Sequence, residues 1–347
     1  MRRLPVYFLI DVSESMVGEP IEQVQQGIST VMTALKTDPY ALETVWVSII
    51  AFAGKSKVIT PLQDVITFYP PTIPIGSGTS LSSGLTTLMQ AIDRDIVTTT
   101  FEKKGDWKPL VFLFTDGTPT DASEQAITQW NNHYRRKTNM VVISIGDRTN
   151  YALLGSLSEN LLRFQDTDAN AYSAFFKWVT ASIKATSEHV SNHGMEVINL
   201  SKADPGVMER IDLTKQQVVP DDQYVVVHGK CSKTKQSYLV KYRQALQSPG
   251  IHDFQTRVYE IQGAYKIDAD SYEALSSQAA SSIKVSSSEL QGNTDCPYCA
   301  QRFAMATCNC GKNHCIRGNG KNTCPWCGQT AYYRFSSRRF DINRTLG

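Results

Sequence analysis

The stretch that decides the fold is residues 4–15, which read LPVYFLIDVSES. Residues 4–10 form a continuous apolar run, which is typical of a parallel strand that is covered on both faces. Polar side chains follow at once, because Asp11, Ser13 and Ser15 have the spacing D-x-S-x-S. We therefore expect a buried strand whose carboxyl end presents one carboxylate and two hydroxyl groups.

Strand-like and helix-like segments alternate beyond this stretch. Short apolar runs predict further strands over residues 45–52, 110–114 and 140–145. Apolar residues at helical spacing predict helices over residues 21–35, 81–96, 123–130, 153–157 and 171–183. Such alternation indicates an α/β domain with a doubly wound, mostly parallel, Rossmann-like sheet over residues 1–190.

Two other segments place oxygen atoms near the same edge of that sheet. Residues 76–80 read GSGTS just before a predicted helix, and Asp116 follows the strand at 110–114. Loops after the carboxyl ends of parallel strands converge, and ligands bind there. Hard oxygen donors with few negative charges favour Mg²⁺ or Mn²⁺ over zinc. The candidate ligands are Asp11, Ser13, Ser15, Thr79 and Asp116.

Other interpretations of these residues are weaker. Asp and Ser commonly cap helix N-termini, so D-x-S-x-S alone would be a turn; the three converging segments together favour a metal. A nucleotide hydrolase is a weaker interpretation, because the chain has no G-x-x-x-x-G-K-[ST] and residues 76–79 lack the lysine that a phosphate-binding loop needs. A serine nucleophile is excluded because the chain has no G-x-S-x-G elbow.

The cysteines are concentrated near the end of the sequence. Seven of the eight lie within residues 296–327, and residues 296–347 carry eight Lys and Arg against one Asp. The apolar run at the N-terminus is too short for a signal peptide, and without secretion such thiols more often bind metal than form disulfides. The candidate zinc ligands are Cys296, Cys299, Cys308, Cys310, His314, Cys315, Cys324 and Cys327.

Eight ligands suffice for two tetrahedral zinc ions, and two pairings are open. In a ribbon, the outer C-x2-C pairs share one ion and the four middle residues share the other. In a crossed arrangement, Cys296 and Cys299 join His314 and Cys315, and the remaining four cysteines form the second site. Cys231 lies apart in a polar hairpin loop, and we expect a free thiol there.

The region between the oxygen-ligand motifs and the cysteine motifs differs in amino-acid composition. Residues 224–227, 237–242 and 254–262 are rich in aromatic and β-branched residues, and residues 276–288 are rich in Ser. We expect a small, mostly β domain with a Ser-rich linker over residues 191–293. A zinc module with a basic tail then covers residues 294–347.

The first motif set resembles the metal-ion-dependent adhesion site, or MIDAS, of von Willebrand factor A domains. Such a domain followed by a Cys/His-rich module resembles the TerY family of bacterial tellurite-resistance systems. The resemblance implies a non-enzymatic adaptor that offers an open metal position to a partner's carboxylate. It also implies a serine/threonine kinase and a PP2C-type phosphatase as partners in a stress-resistance system.

The alternative function is nucleic-acid binding through the basic zinc module, because its tail carries Arg334, Arg338, Arg339 and Arg344 beside aromatic residues. A solvated basic face explains the same residues. No apolar run reaches the length that a membrane span needs, so we expect a soluble, cytoplasmic protein without a membrane partner.

Overall fold

The structure is a computed structural model. It describes residues 2–102, 104–116, 119–145, 150–164, 169–193, 208–210, 223–245, 257–277, 283–334 and 339–345. None of the helices in these segments combines the length and the apolar character that crossing a bilayer would require.

The chain divides into two compact units. The first comprises Met1–Val12, Gly18–Ile73 and Thr79–Pro220. The second comprises Asp221–Gly347 together with two short segments from the N-terminal half, Ser13–Val17 and Pro74–Gly78. The second unit therefore includes both serines of the D-x-S-x-S motif.

The first unit contains a seven-stranded sheet. Its strands are β1 (Leu4–Asp11), β2 (Val45–Phe52), β3 (Ser56–Asp64), β4 (Leu110–Thr115), β5 (Asn139–Ile145), β6 (Asn160–Phe164) and β7 (Met208–Arg210). Their order is β3-β2-β1-β4-β5-β6-β7. The five central strands are parallel, and the two edge strands β3 and β7 are antiparallel to their neighbours. The predicted mostly parallel α/β sheet is confirmed.

Within the described part of the first unit, six α-helices accompany this sheet. They are α1 (Glu19–Leu35), α2 (Pro39–Thr44), α3 (Leu81–Asp95), α4 (Glu124–His133), α5 (Tyr151–Leu157) and α6 (Ala169–His193). Several begin with a side-chain cap that fixes the start of the helix: Asp38 accepts a hydrogen bond from the Ala41 amide, and Ser80 accepts one from the Ser83 amide.

Both faces of the sheet are buried, as the continuous apolar run in β1 predicts. Tyr7 and Leu9 belong to an apolar cluster with residues of α3, α4 and α5. Phe8, on the opposite face, stacks on Phe114, which in turn stacks on Phe176 of α6. Because neither face of β1 meets solvent, polar ligands are confined to the carboxyl end of the strand.

The second unit is mostly β. Its strands are β8 (Tyr224–Lys230), β9 (Ser237–Gln244), β10 (Tyr259–Lys266), β11 (Lys284–Ser286), β12 (Leu290–Gln291), β13 (Phe303–Thr307), β14 (Asn313–Ile316), β15 (Gly320–Thr323), β16 (Thr330–Tyr333) and β17 (Asp341–Asn343), with one helix, α7 (Ala269–Leu275). Six strands form one sheet in the order β12-β10-β9-β8-β14-β13. The remaining strands form two antiparallel pairs, β11 with β17 and β15 with β16.

This sheet joins two regions that the sequence led us to separate. We expected residues 191–293 and 294–347 as two parts, but β14 of the cysteine-rich region pairs with β8 of the preceding region. The reason is that the cysteine-rich strands are short, with four residues in β14 and five in β13. They gain a hydrophobic face by extending a larger sheet.

The close packing of α1 against α6 gives a test of the first unit. A Cβ atom built on Gly27 would overlap the buried ring of Phe176. We expect Gly27→Ala to lower the free energy of unfolding by about 1–3 kcal/mol, because the crowded ring outweighs the helix propensity of Ala. Chemical denaturation measures this, with Thr30→Ala on the exposed face of α1 as the control. Equal stability of the two variants would contradict the packing.

Candidate metal centres

Three candidate ligands of the first unit lie at the carboxyl ends of adjacent parallel strands. Asp11 ends β1, and Asp116 directly follows β4, whose Phe114 pairs with Ile10. Thr79 is reached from β2 on the other side, because the amide of the next residue, Ser80, donates to the carbonyl oxygen of Ala53 (2.6 Å). This edge is where the D-x-S-x-S pattern predicted the site.

Hydrogen bonds orient two of these ligands. The Thr115 hydroxyl donates to Oδ2 of Asp11 (2.7 Å), and both side chains are buried. The Thr79 amide donates to Oγ1 of Thr120 (3.0 Å), and the Thr120 amide donates to the Thr79 carbonyl oxygen (2.8 Å). Sequence reasoning missed Thr115 and Thr120, since a threonine near a strand end carries no signal of its own.

The remaining two oxygen ligands belong to the second unit. Ser13 precedes a 3-10 helix, Glu14–Met16, that contains Ser15, and both serines are buried. Their hydroxyl oxygens are 3.0 Å apart. Adjacent ligands of an octahedral ion at ~2.1 Å are about 3.0 Å apart, so this pair fits a small, hard divalent cation.

The second unit brings its thiols into two groups of four. One group contains Cys231, Cys296, Cys299 and Cys315. The other contains Cys308, Cys310, Cys324 and Cys327. Within each group all four sulfur atoms lie within 4.8 Å of one another.

The spacing of the sulfur atoms fits tetrahedral metal coordination. The Sγ–Sγ distances are 3.7 Å for Cys299 and Cys315 and 3.7 Å for Cys308 and Cys327. Cys310 and Cys324 are separated by 3.9 Å. A tetrahedron with metal–sulfur bonds of ~2.3 Å has edges of about 3.8 Å. Each group can therefore hold one metal ion, and the pairing is the crossed one.

His314 is the one predicted zinc ligand that lies in neither group. Its Nε2 atom is 2.8 Å from the Tyr333 hydroxyl, and its Nδ1 atom is 3.2 Å from the Ser232 hydroxyl. Successive side chains of a strand point to opposite faces, so His314 and Cys315 on β14 do not serve the same cluster. Burial lowers the pKa of His314, so the ring is neutral and ties β14 to β16.

Cys231 takes the place that we assigned to His314. Its loop has the same backbone turn as the two C-x2-C segments. In each turn the amide of the first cysteine donates to the carbonyl oxygen of a glutamine five positions later. The amide of the fourth residue after that cysteine donates to the carbonyl oxygen of the cysteine. The pairs are Cys231 with Gln236, Cys296 with Gln301 and Cys324 with Gln329. That fourth residue has a positive φ in every case: 62° at Lys235, 53° at Ala300 and 75° at Gly328.

This shared turn has a sequence signal that the prediction of the zinc ligands did not use. The three segments read CSKTKQ, CPYCAQ and CPWCGQ, so each has Cys-x4-Gln. The first lacks the second cysteine, because Thr234 stands where the others have Cys299 and Cys327. Against our expectation of an isolated thiol, Cys231 lies in a turn of the same kind and in a group of four cysteines that could hold a metal ion.

Hydrogen bonds lower the pKa of a thiol in each group. Burial acts to raise the pKa of Cys231, but hydrogen bonds from Thr234 and Lys233 outweigh it and lower the pKa to about 6. At Cys308, burial is likewise outweighed by hydrogen bonds, first from the Cys310 backbone, which lower the pKa to about 7. Since the thiolate is the metal-binding form, each group has a ligand ready at neutral pH.

Two protein-family models match this chain, one in each half. Residues 6–178 match the von Willebrand factor type A domain, and residues 221–347 match the TerY-C metal binding domain. The two matches together give the chain the TerY-type architecture that its motifs led us to expect. The TerY-C match begins at residue 221 and so includes the β region that we had placed in a separate domain.

Solved structures resemble about half of the chain at low identity. Proximal thread matrix protein 1 from the mussel byssus is 14% identical, with a TM-score of 0.39, over 52% of this chain and 47% of that one. The pilus adhesin SpaC from Lactobacillus rhamnosus GG is 12% identical, with a TM-score of 0.43, over 53% of this chain and 31% of that one. The chain thus spans less than half of either structure. No match was found among curated proteins.

The presence of Cys231 in the first thiol group, in place of the expected His314, gives a direct prediction. The purified wild-type chain should hold two tightly bound metal ions in its thiol groups, as counted by elemental analysis after treatment with a competing chelator. Cys231→Ser should keep one, because a three-thiolate site binds metal more weakly.

His314→Ala is the matched comparison and should keep both ions. A loss of one ion from His314→Ala, together with full retention by Cys231→Ser, would contradict the grouping of the thiols.

Proposed function

We propose that this protein of TerY-type architecture is a non-catalytic, metal-dependent adaptor. A Mg²⁺ or Mn²⁺ ion bound by Asp11, Ser13, Ser15, Thr79 and Asp116 accepts a carboxylate from a partner protein in its open position. Two zinc ions in the thiol groups stabilise the second unit.

The observation that carries this proposal is that Asp11 ends β1, Asp116 follows the adjacent parallel strand β4, and Thr79 precedes Ser80, whose amide bonds to Ala53 directly after β2. Oxygen donors at this edge suit a hard cation that keeps some of its coordination positions for water or a partner. The Thr115 hydroxyl holds Asp11 in a fixed orientation, as partners of metal ligands do.

The two thiol groups support a structural role for zinc. Four cysteines fill a tetrahedral ion completely, whereas a catalytic zinc keeps one position for water or substrate. The zinc ions hold together a region of short strands, such as β15 and β16 with four residues each. Binding of zinc then supplies part of the folding free energy of this unit.

Our proposal for the partners and the cellular setting is based on the resemblance to the TerY family. We propose that a serine/threonine kinase and a PP2C-type phosphatase are the proteins that this adaptor joins. The complex would act in the bacterial cytoplasm, in resistance to tellurite or related stress. A carboxylate on the surface of one of these partners would complete the coordination of the Mg²⁺ ion.

The adaptor function is tested by capture of the kinase and the phosphatase on the immobilised full-length chain. Desalting into Mg²⁺-free buffer removes the weakly bound ion and leaves the thiolate-bound zinc in place. We expect capture with Mg²⁺, at least a tenfold loss without it, and the same loss for Asp11→Ala in the presence of Mg²⁺. Glu159→Ala removes a carboxylate that is 86% exposed on the same unit and serves as the control.

Capture that is unchanged by Asp11→Ala and by removal of Mg²⁺ would refute the metal-bridged adaptor. Salt-dependent binding of nucleic acid by the full chain, unaffected by Asp11→Ala, would favour the alternative function. Of the basic tail, Arg338 lies outside the described residues, while Arg334 and Arg339 are exposed.

A further inference from the structure

The segment that carries the two serine ligands is held by a buried lysine within the second unit. Lys241 on β9 is only 4% exposed. Its Nζ atom donates to the carbonyl oxygens of Ser15 and Val17, the latter at 3.2 Å. Burying an ammonium group is costly unless hydrogen bonds replace its water. The ammonium group of Lys241 therefore holds the backbone at Ser15 and Val17 through hydrogen bonds.

Glu14, the residue between the two serines, is anchored as well. It is fully buried, and its carboxylate oxygens accept hydrogen bonds from the Tyr272 hydroxyl (2.6 Å) and the Gly78 amide (3.2 Å). Burial and the charge of Glu14 raise the pKa of Tyr272 well above its usual value, so the hydroxyl remains a donor. Glu14 thus ties the D-x-S-x-S motif to the loop that precedes Thr79.

The end of α7 holds the second loop. The Ser77 amide donates to Oγ of Ser276 (2.9 Å), and the Ser277 amide donates to the carbonyl oxygen of Ser77 (3.1 Å). Tyr272 lies one turn earlier on the same helix. One short helix therefore fixes both segments that lead to predicted ligands of the divalent ion.

Tyr272 is itself packed towards the second thiol group. Its ring centroid is 5.1 Å from that of His228, and the His228 ring meets the ring of Trp326 edge to face at 5.3 Å. Trp326 lies between Cys324 and Cys327, and its indole N–H donates to the carbonyl oxygen of Asn313 (2.7 Å). Tyr272, which donates to Glu14, thus packs through His228 against the part of the unit that zinc would stabilise.

We propose that Lys241 and Tyr272 are positioning residues for the divalent-ion site. They fix the backbone of Ser15 and the side chain of Glu14, the residue between the two serines. Residues that orient metal ligands commonly change metal affinity by about 10–100-fold when they are removed. This inference rests on the proposed function, because it requires an ion at Ser13 and Ser15.

Titration of the full-length, zinc-loaded chain with Mn²⁺ tests the proposal, with free Mn²⁺ followed by electron paramagnetic resonance. Lys241→Met and Tyr272→Phe should each weaken Mn²⁺ binding by about 10–100-fold. Lys241→Arg keeps a cationic donor and should restore most of the affinity. The matched controls are Lys284→Met and Tyr332→Phe, whose side chains are largely exposed, and both should bind as the wild type does.

The outcomes separate the two claims. A wild-type chain that binds no Mn²⁺ would overturn the proposed function. A wild-type chain that binds Mn²⁺, with Lys241→Met and Tyr272→Phe equally tight but less stable to denaturation, would overturn the positioning role alone. Tyr272→Phe removes one oxygen atom and keeps the ring against His228, so it decides the question even if Lys241→Met does not fold.

Discussion

The parallel pairing of β1 with β2 on one side and β4 on the other is the constraint on which the first unit depends. Helices also cover both faces of the sheet, so β1 is buried along its whole length and can present polar groups only where it ends. Asp11 stands at that end and is oriented by Thr115 on the neighbouring strand. The position of the candidate ligand Asp11 is therefore determined by the burial of β1 and not by any single loop.

In the second unit the cysteine-rich strands are short, with four residues in β14 and five in β13. Two groups of four thiols bring together segments that are distant in sequence, from Cys231 to Cys327. The same unit contains the Ser13–Val17 segment. Lys241 and Glu14 hold this segment through buried hydrogen bonds, which connect the two candidate serine ligands to the packing of the second unit.

The parts of this structure that the sequence predicts well are those that local pattern determines. The buried strand at residues 45–52 and the helix at 81–96 match β2 and α3 closely, because apolar period and helix caps define them. The edge strand β3 escaped prediction because it is largely half-exposed, polar and interrupted by Pro61. The candidate ligand Cys231 escaped prediction because it lies 65 positions before Cys296 in the sequence, and only the fold brings the two thiols together.

The central claim is that one chain holds a hard divalent ion on oxygen ligands and two zinc ions on thiolates. Anomalous diffraction from crystals grown with Mn²⁺, recorded at the manganese and zinc edges, tests it most directly. We predict one manganese peak beside Asp11, Ser13 and Ser15, and two zinc peaks, one of them bonded to Cys231. An empty oxygen site, or a zinc ion bonded to His314 in place of Cys231, would contradict the claim.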